Sequence, residues 1–309
     1  MDIENVSHIS LTDMEKFKSL TELTVGRCDS LFPEELGGSI VFRSVERLEL
    51  HVSHLTSNKS SSSKVLNCFP ALSVLLIYGD EECVMQLPSS SSLQKLRFRD
   101  CKGLVLVPVE KENGGGIQED NSSLLLKLTI SGCGKLFSRW PMGESICPFP
   151  ASLRELVVYQ EPSMKSMGLL SNLTSLTTLR LQECSNLTVD GFNPLIGVNL
   201  IQLHVCGCNT SRLAADMLSE VAKLLLPAGY ISRLEVLSVD NICGLLVAPI
   251  CSLLAPALHT LEFHEDETEM ESLTEEQEKA LQLLTSLRAL EFSTPLSHYC
   301  NLLCALISR

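Results

Sequence analysis

The sequence lacks the features on which several classes of protein depend. Aromatic residues make up only 5% of the 309 positions, with a single Trp. Lys and Arg number 24 against 37 Asp and Glu, which gives a formal net charge of -13. Nucleic-acid binding depends on an excess of Lys and Arg that neutralises phosphates, and adhesion to an anionic membrane surface needs the same excess. We therefore expect neither a nucleic-acid partner nor a membrane partner.

Signals for secretion and membrane insertion are also missing. The stretch Met1–Asn5 is acidic and has neither the basic nor the apolar region of a signal peptide. The 13 Cys are an odd number, so we expect reduced thiols and a cytoplasmic location. Residues 242–258 are mostly apolar but contain Pro249 and Pro256. They favour a buried strand, loop and helix over a membrane span.

Motifs for catalysis, metal binding and cofactor binding are absent as well. The segment His204–Cys208 offers one His and two Cys, but no second ligand pair follows at the spacing of a structural zinc site. His51 and His54 flank Ser53, yet no nucleophile motif such as Gly-x-Ser-x-Gly is present. We expect a protein that is not an enzyme and that needs no metal or cofactor.

What the sequence does contain is a repeated pattern, Leu-x-x-Leu-x-Leu, in which other aliphatic residues or Phe replace some of the Leu. Eleven copies occur, and their middle residues are Leu23, Leu48, Leu75, Leu96, Leu128, Leu156, Leu179, Leu203, Leu237, Leu261 and Leu290. The copies are 21 to 34 residues apart, whereas leucine-rich repeats are typically 20–29 residues long. The longer steps predict insertions near residues 54–64, 110–123 and 210–226. Apolar residues at helical spacing predict an extra helix in the last of these, and Thr274–Gln277 has the spacing of a capping box that begins another.

Cysteine gives a second repeated signal. In five of the eleven copies, Cys stands three residues after the last apolar position: Cys28, Cys101, Cys133, Cys184 and Cys208. Leucine-rich repeats place Asn or Cys at this position. We expect these five to be buried free thiols along one edge of the core, spaced too regularly to pair.

These patterns together predict an α/β fold, a leucine-rich-repeat solenoid shaped like a horseshoe. Its concave side would be a parallel sheet of about eleven short strands, and its convex side would be irregular or form short helices. We expect a single domain over residues 1–309, with a partial or degenerate first repeat in 1–19 and eleven repeats in 20–309. The segment Val6–Leu11 resembles a further copy that lies too close to the next one. We therefore expect a fragment of a longer protein or a shortened gene product.

Three stretches, Leu93–Pro108, Ser171–Leu187 and Leu281–Phe292, resemble one family in particular. They are similar to the repeat region of plant intracellular nucleotide-binding leucine-rich-repeat disease resistance receptors, and most similar to those of grasses. The resemblance implies a protein-recognition module for plant defence. Its partner would be a pathogen effector, or the nucleotide-binding domain of the same receptor, which the repeats hold inactive. We expect the nucleotide-binding domain itself to be absent from this sequence. Gly132–Leu136 is the one segment that resembles a phosphate loop, and it lacks the Gly-x4-Gly-Lys-Ser/Thr spacing.

Two other interaction proteins remain as alternatives. The repeats of F-box ubiquitin-ligase components recognise substrates and can carry Cys at the same position, but an F-box helical segment does not fit in residues 1–19. A secreted inhibitor of a microbial enzyme would show a signal peptide and paired Cys at its ends. Neither feature is seen in this sequence.

The binding surface is expected on the outward positions of the strands. Side chains alternate along a strand, so the residues beside the core positions point to the concave face. The candidate protein-binding residues are Lys95, Arg97, Arg99, Lys127, Tyr159, Arg180, Gln182 and His204. Arg97, Arg99, Tyr159 and Arg180 are the expected anchors, since Arg and Tyr are enriched among binding hot spots.

Overall fold

A computed structural model gives the fold. It describes residues 1–3, 16–27, 41–55, 65–88, 90–108, 124–141, 147–208, 212–240, 242, 244–264 and 274–292. The chain falls into two compact units, residues 1–153 with 160–164 and residues 154–159 with 165–309. Both units are α/β and built on parallel strands. That the whole chain is a single domain stays a prediction.

The N-terminal unit contains eight of the strands. Their bounds are β1 Asp2–Ile3, β2 Glu22–Val25, β3 Arg47–His51, β4 Val74–Tyr78, β5 Cys83–Met85, β6 Lys95–Arg99, β7 Leu104–Leu106 and β8 Lys127–Ser131. Strands β1, β2, β3, β4, β6 and β8 pair in that order, and every pair is parallel. Strands β5 and β7 form a separate parallel pair. A 3-10 helix, Val52–Leu55, follows β3.

The C-terminal unit contains six strands that pair in chain order, again all parallel. They are β9 Glu155–Tyr159, β10 Thr178–Gln182, β11 Gln202–Cys206, β12 Val236–Val239, β13 Thr260–Phe263 and β14 Ala289–Phe292. The connections include two 3-10 helices, Met167–Leu170 and Pro194–Val198. They also include three α-helices: α1 Leu213–Leu225, α2 Ala248–Leu254 and α3 Glu275–Leu281.

All eleven predicted strands are present, and each contains its predicted middle Leu. These leucines are also in register: within each unit Leu pairs with Leu, as in Leu48 with Leu75 and Leu179 with Leu203. The additional strand β1 lies in the predicted partial first repeat, but it precedes the Val6–Leu11 segment. That segment lies outside the described residues.

The in-register leucines form the core of each unit. Side chains of a strand alternate between its two faces, so Leu-x-Leu directs two apolar side chains to one side. Leu96, Leu128, Leu179, Leu203 and Leu237 are all buried, as the sequence predicts. Leu290, in the last strand of its unit, is only half-buried.

The backbone turns the same way after six of the strands. The residue directly after the strand has a positive φ, and these residues are Gly79, Asp100, Gly132, Gln160, Glu183 and Gly207. Left-handed backbone is unfavourable for residues with a Cβ, yet three of the six are Asp, Gln and Glu with φ of 53° to 55°. Because residues with a Cβ adopt this conformation too, the packing around the strand ends imposes the turn, and glycine is not required for it.

The residue after this turn is the predicted Cys position. Cys101, Cys133 and Cys184 are buried free thiols, whereas Cys208 is only half-buried. Cys28 lies outside the described residues. The thiols contact backbone carbonyls of the preceding coil: Cys101 Sγ lies 3.3 Å from the Ile77 oxygen and Cys208 Sγ lies 3.8 Å from the Leu181 oxygen.

Neighbouring thiols at this position influence each other. The adjacent Cys101 thiol and burial raise the pKa of Cys133, and Cys184 together with burial raises the pKa of Cys208. They are nevertheless not paired, as the sequence predicts, because Cys101, Cys133, Cys184 and Cys208 are all free cysteines. Parallel strands in register lie only ~4.8 Å apart, so the residues that follow the ends of neighbouring strands come close together.

One coil has Glu161 in place of Cys. Its carboxylate is fully buried. The Gly134 backbone N–H donates to it at 2.9 Å and the Ser163 backbone N–H at 3.2 Å, and the Ser163 hydroxyl donates as well. Burial raises the pKa of Glu161, and the hydrogen bonds from Ser163, Gly134 and Leu136 oppose that shift.

The predicted helices are confirmed. Helix α1 occupies the insertion near 210–226, and the Thr274 side chain and Gln277 form the capping box of α3. In the described part of the apolar stretch 242–258 the predicted helix is present as α2, but the predicted strand is not. Among the helices that the structure describes, none has the length and apolarity to cross a bilayer. Of the two other predicted insertions, 110–123 and most of 54–64 lie outside the described residues.

Truncating a core leucine tests this packing. Leu179→Ala should lower the free energy of unfolding by about 2–5 kcal/mol, because it removes buried apolar surface and leaves a cavity. Leu195→Ala is the control, since Leu195 is 49% exposed, and it should change stability by no more than about 0.5 kcal/mol. Urea denaturation of both variants measures the difference. Equal losses would contradict the inward placement of Leu179.

The buried Glu161 predicts a dependence of stability on pH. A carboxyl whose folded pKa is raised contributes stability at low pH and loses it as the pH rises through that pKa. The free energy of unfolding of the native protein should therefore fall, relative to that of Glu161→Gln, as the pH increases above about 4.5. Urea denaturation of both proteins across this range gives the measurement. A constant difference between the two would show that Glu161 titrates as it does in the unfolded chain.

Candidate functional site

The N-terminal unit carries the basic half of the predicted surface. Lys95, Arg97 and Arg99 on β6 are exposed, and Lys127 on β8 is partly exposed. Their strands alternate, with Leu96 and Phe98 buried on the other face. The prediction that these four side chains leave the core is confirmed.

Three of these side chains and one other cation line a cavity of about 250 Å³, which we call the basic cavity. The four are Arg47 on β3, Lys95 and Arg97 on β6, and Lys127 on β8. Register explains why they meet: Arg47, Val74, Lys95 and Lys127 occupy one row across four strands. At ~4.8 Å per strand that row spans ~14 Å. Arg97 stands in the next outward row, beside Leu76 and Thr129.

Apolar residues of β4 lie between these cations. Val74 and Leu76 both line the basic cavity. Leu76 occupies an outward position but is only 4% exposed, so side chains around it cover it. The cavity therefore combines a positively charged rim with an apolar floor.

Arg99 lies beside the basic cavity in a different environment. Its guanidinium donates to Glu49 Oε1 at 3.2 Å and lies 5.8 Å from the centre of the Tyr78 ring. Glu49 therefore offsets part of its charge. Arg99 therefore adds less positive charge to this surface than Arg47, Lys95 and Arg97 do.

Arg47, Lys95 and Arg97 have no such acidic partner. Among the described residues no carboxylate oxygen lies within 4.0 Å of any of the three. Glu22 stands next to Arg47 in the sheet register without pairing to it at that distance, and Glu49 is engaged by Arg99. In a chain with a net charge of -13, these three cations therefore form a local concentration of positive charge with no ion pair among the described residues.

The outward residues of the C-terminal unit form a different, internally bonded surface. A hydrogen bond to Glu183 raises the pKa of the Tyr159 hydroxyl. Arg180 donates to Gln202 Oε1 at 3.4 Å, and Gln182 is exposed at the end of the same strand. Tyr159 and Arg180, two of the expected anchors, thus already contact residues of their own unit.

His204 lies farther along this surface, between Arg180 and Ser238 in the register. It is half-buried, and its Nε2 atom is buried without a hydrogen-bond partner among the described residues. Burial lowers the pKa of His204, Arg180 lowers it further, and Glu262 opposes the shift. A half-buried His204 whose Nε2 atom has no hydrogen-bond partner among the described residues is a weak candidate for an exposed anchor.

A serine, a histidine and a carboxylate do approach one another in the N-terminal unit. Ser53 Oγ lies 3.0 Å from His51 Nδ1, and His51 Nε2 lies 3.4 Å from Glu81 Oε2. Glu81 Oε2 is nevertheless buried without a hydrogen bond, and Arg27 donates to the same His51 nitrogen at 3.4 Å. A catalytic relay requires the carboxylate to accept from the ring. The Gly79 backbone also covers the ring, since a Cβ there would lie 2.6 Å from Nε2. We assign this network to holding the ends of β2, β3 and β4 together.

Sequence reasoning missed part of the basic cavity. Arg47 precedes the middle Leu of its repeat just as Lys95 and Lys127 do, so comparing the same position in all eleven repeats would have found it. The apolar floor is also visible as the continuous apolar run of β4, Val74–Tyr78. Such a run departs from the alternation of the other strands and marks an outward face that is covered.

Neither metal-ligand geometry in the described residues nor similarity to known proteins indicates another functional site. In the described portion of the chain no group of three or more His, Cys, Asp or Glu side chains is arranged to hold a metal ion. No model of a known protein family matches the sequence, and no curated protein is significantly similar to it. The resemblance to plant immune receptors therefore depends on the repeat residues themselves.

The environment of His204 can be tested by titration. Arg180→Gln should raise the pKa of His204, because it removes a neighbouring positive charge, and Glu262→Gln should lower it, because it removes a negative one. Proton NMR of the imidazole signals, assigned with a His204→Gln variant, measures both shifts. Shifts of the same sign in the two variants would contradict the arrangement of these strands.

Proposed function

We propose that this chain is a non-catalytic protein-recognition module of the leucine-rich-repeat solenoid type, and that its partner docks on the basic cavity and the strands around it. The observation that carries the proposal is the set of three cations, Arg47, Lys95 and Arg97, around an apolar floor. Interfaces typically place Arg and apolar residues at their centre. A face that served only solubility would not need a covered Leu76.

The repeat architecture supports the solenoid part of the proposal. Leucines align in register across each sheet, a left-handed residue follows six of the strands, and Cys or Glu161 comes next in five coils. Recurrence of one conformation at one sequence position is what stacked repeats require, because each coil buries its apolar face only against its neighbours.

Charge supports an acidic partner. The protein as a whole is negative, so an acidic partner is repelled except where positive charge is concentrated. The basic cavity supplies that concentration and would direct the partner to one face. Complementary charge of this kind speeds encounter and suppresses wrong partners more than it adds affinity.

The resemblance to plant disease resistance receptors supplies the biological setting. We infer a role in defence within the cytoplasm, with either a pathogen effector or the receptor's own nucleotide-binding domain as the acidic partner. Sequencing the transcript upstream of the Met1 codon tests the receptor class. An in-frame segment with Gly-x4-Gly-Lys-Ser/Thr supports it, and an in-frame F-box segment would assign the repeats to a ubiquitin ligase instead.

A charge-matched pair of variants tests the docking face. The test variant combines Arg47→Gln, Lys95→Gln and Arg97→Gln. The control combines Lys135→Gln, Arg139→Gln and Arg233→Gln, which removes the same charge from exposed positions that do not line the basic cavity. Both should melt like the native protein, because surface changes rarely cost more than about 0.5 kcal/mol.

The readout is affinity for a protein partner selected with the native chain in a two-hybrid screen and then measured by calorimetry. The test variant should bind at least tenfold more weakly, since each true hot spot contributes over about 1 kcal/mol, while the control should bind like the native chain. Equal affinity for all three proteins, with unchanged melts, would place recognition outside the basic cavity.

A further inference from the structure

We propose that the basic cavity is a phosphate-binding pocket that receives a phosphoserine or phosphothreonine side chain of the protein partner. The inference rests on the proposed function, because it names the chemistry of the group that enters the cavity. It concerns residues of the N-terminal unit alone.

The balance of charge points to a multiply charged anion. Three cations at this site have no carboxylate within 4.0 Å among the described residues, and Lys127 lines the same cavity. A single Asp or Glu of a partner carries one negative charge and would leave most of this positive charge uncompensated. A phosphate monoester carries a charge of about -1.5 to -2 at neutral pH.

The arrangement of the basic side chains also favours a phosphate. Arg47 comes from β3, while Lys95 and Arg97 come from β6, two strand spacings away and in two different rows. The three side chains therefore reach the cavity from two strands and two rows. A phosphate presents three acceptor oxygens to such an arrangement, and the planar fork of Arg suits bidentate bonds to them. A flat carboxylate has only two oxygens.

The size and floor of the cavity favour a phosphate on a side chain over a free ion. The cavity, about 250 Å³ in volume, has room for more than an inorganic phosphate ion. Val74 and Leu76 line the cavity, and they would contact the carbon atoms that carry the phosphate. The opening on the outward face of the strands is also where a protein partner would lie.

The test uses the full chain and an arrayed library of short peptides with phosphoserine fixed at the central position. Matched arrays carry Ser or Glu at that position, and inorganic phosphate and tripolyphosphate serve as soluble competitors. The best phosphoserine peptides should bind at least about tenfold more tightly than their Ser and Glu counterparts, as expected when charge-assisted hydrogen bonds are lost. Their affinity should fall at least about tenfold in the Arg47→Gln, Lys95→Gln, Arg97→Gln variant and stay unchanged in the Lys135→Gln, Arg139→Gln, Arg233→Gln control.

Each other result overturns the inference. Equal binding of Ser and phosphoserine peptides, or of Glu and phosphoserine peptides, would show that phosphate is not the group recognised. Binding of inorganic phosphate or tripolyphosphate without binding of any phosphoserine peptide would show a small-anion site instead. A phosphoserine affinity that the cavity variant leaves unchanged would place the phosphate elsewhere.

Phosphatase treatment of the selected partner separates this inference from the proposed function. If the dephosphorylated partner binds as before, yet still loses affinity for the cavity variant, the docking face stands and the phosphate-binding pocket is wrong. If phosphoserine peptides depend on the cavity while the partner does not, the phosphate-binding pocket stands and the proposed docking face is wrong.

Discussion

Strand register is the constraint on which the rest of this structure depends. Each strand buries its leucines beside those of its neighbours, so Leu48 lies opposite Leu75 and Leu179 lies opposite Leu203. A slip of one residue would turn every leucine of that strand to solvent. The same register also aligns the outward positions, although no core packing acts on them. Arg47, Lys95 and Lys127 stand in one row because the leucines beside them do. The charge of the candidate site is thus a property of the core pattern.

The turn after each strand shows how the backbone tolerates this stacking. A residue with positive φ redirects the chain, and the side chain of the next residue lies beside backbone groups of the preceding strand. Cys101 and Cys184 place a thiol against the carbonyls of the preceding coil, which suits a small and mostly apolar side chain. Glu161 instead places a carboxylate at this position, and the carboxylate accepts hydrogen bonds from the Gly134 and Ser163 backbone N–H groups. The position therefore accepts either a weak donor or a strong acceptor, as long as the local backbone is satisfied.

The sequence predicts the parts of the fold that depend on local periodicity. Leucine spacing locates all eleven strands, and helix α1 and the capping box of α3 follow from the same kind of pattern. It does not predict which thiols contact each other, because that depends on the ~4.8 Å spacing between stacked coils. It also does not predict the basic cavity. Arg47 and Lys95 are far apart along the chain, and only the register of β3, β4 and β6 brings them to one site. Whether a basic side chain is compensated, as Arg99 is by Glu49, likewise requires the three-dimensional arrangement.

The contrast between the two units shows why charge alone is a poor guide to a recognition surface. In the C-terminal unit the polar outward residues contact one another: Arg180 donates to Gln202, and Ser238 lies 2.8 Å from His264. A partner docking there would first have to replace these contacts, so little binding energy would remain. In the N-terminal unit Arg47, Lys95 and Arg97 have no ion pair to give up among the described residues. An anionic group of a partner would therefore bind these cations without displacing an ion pair. For that reason the cations without an ion pair, more than the larger number of polar side chains, mark the proposed docking face.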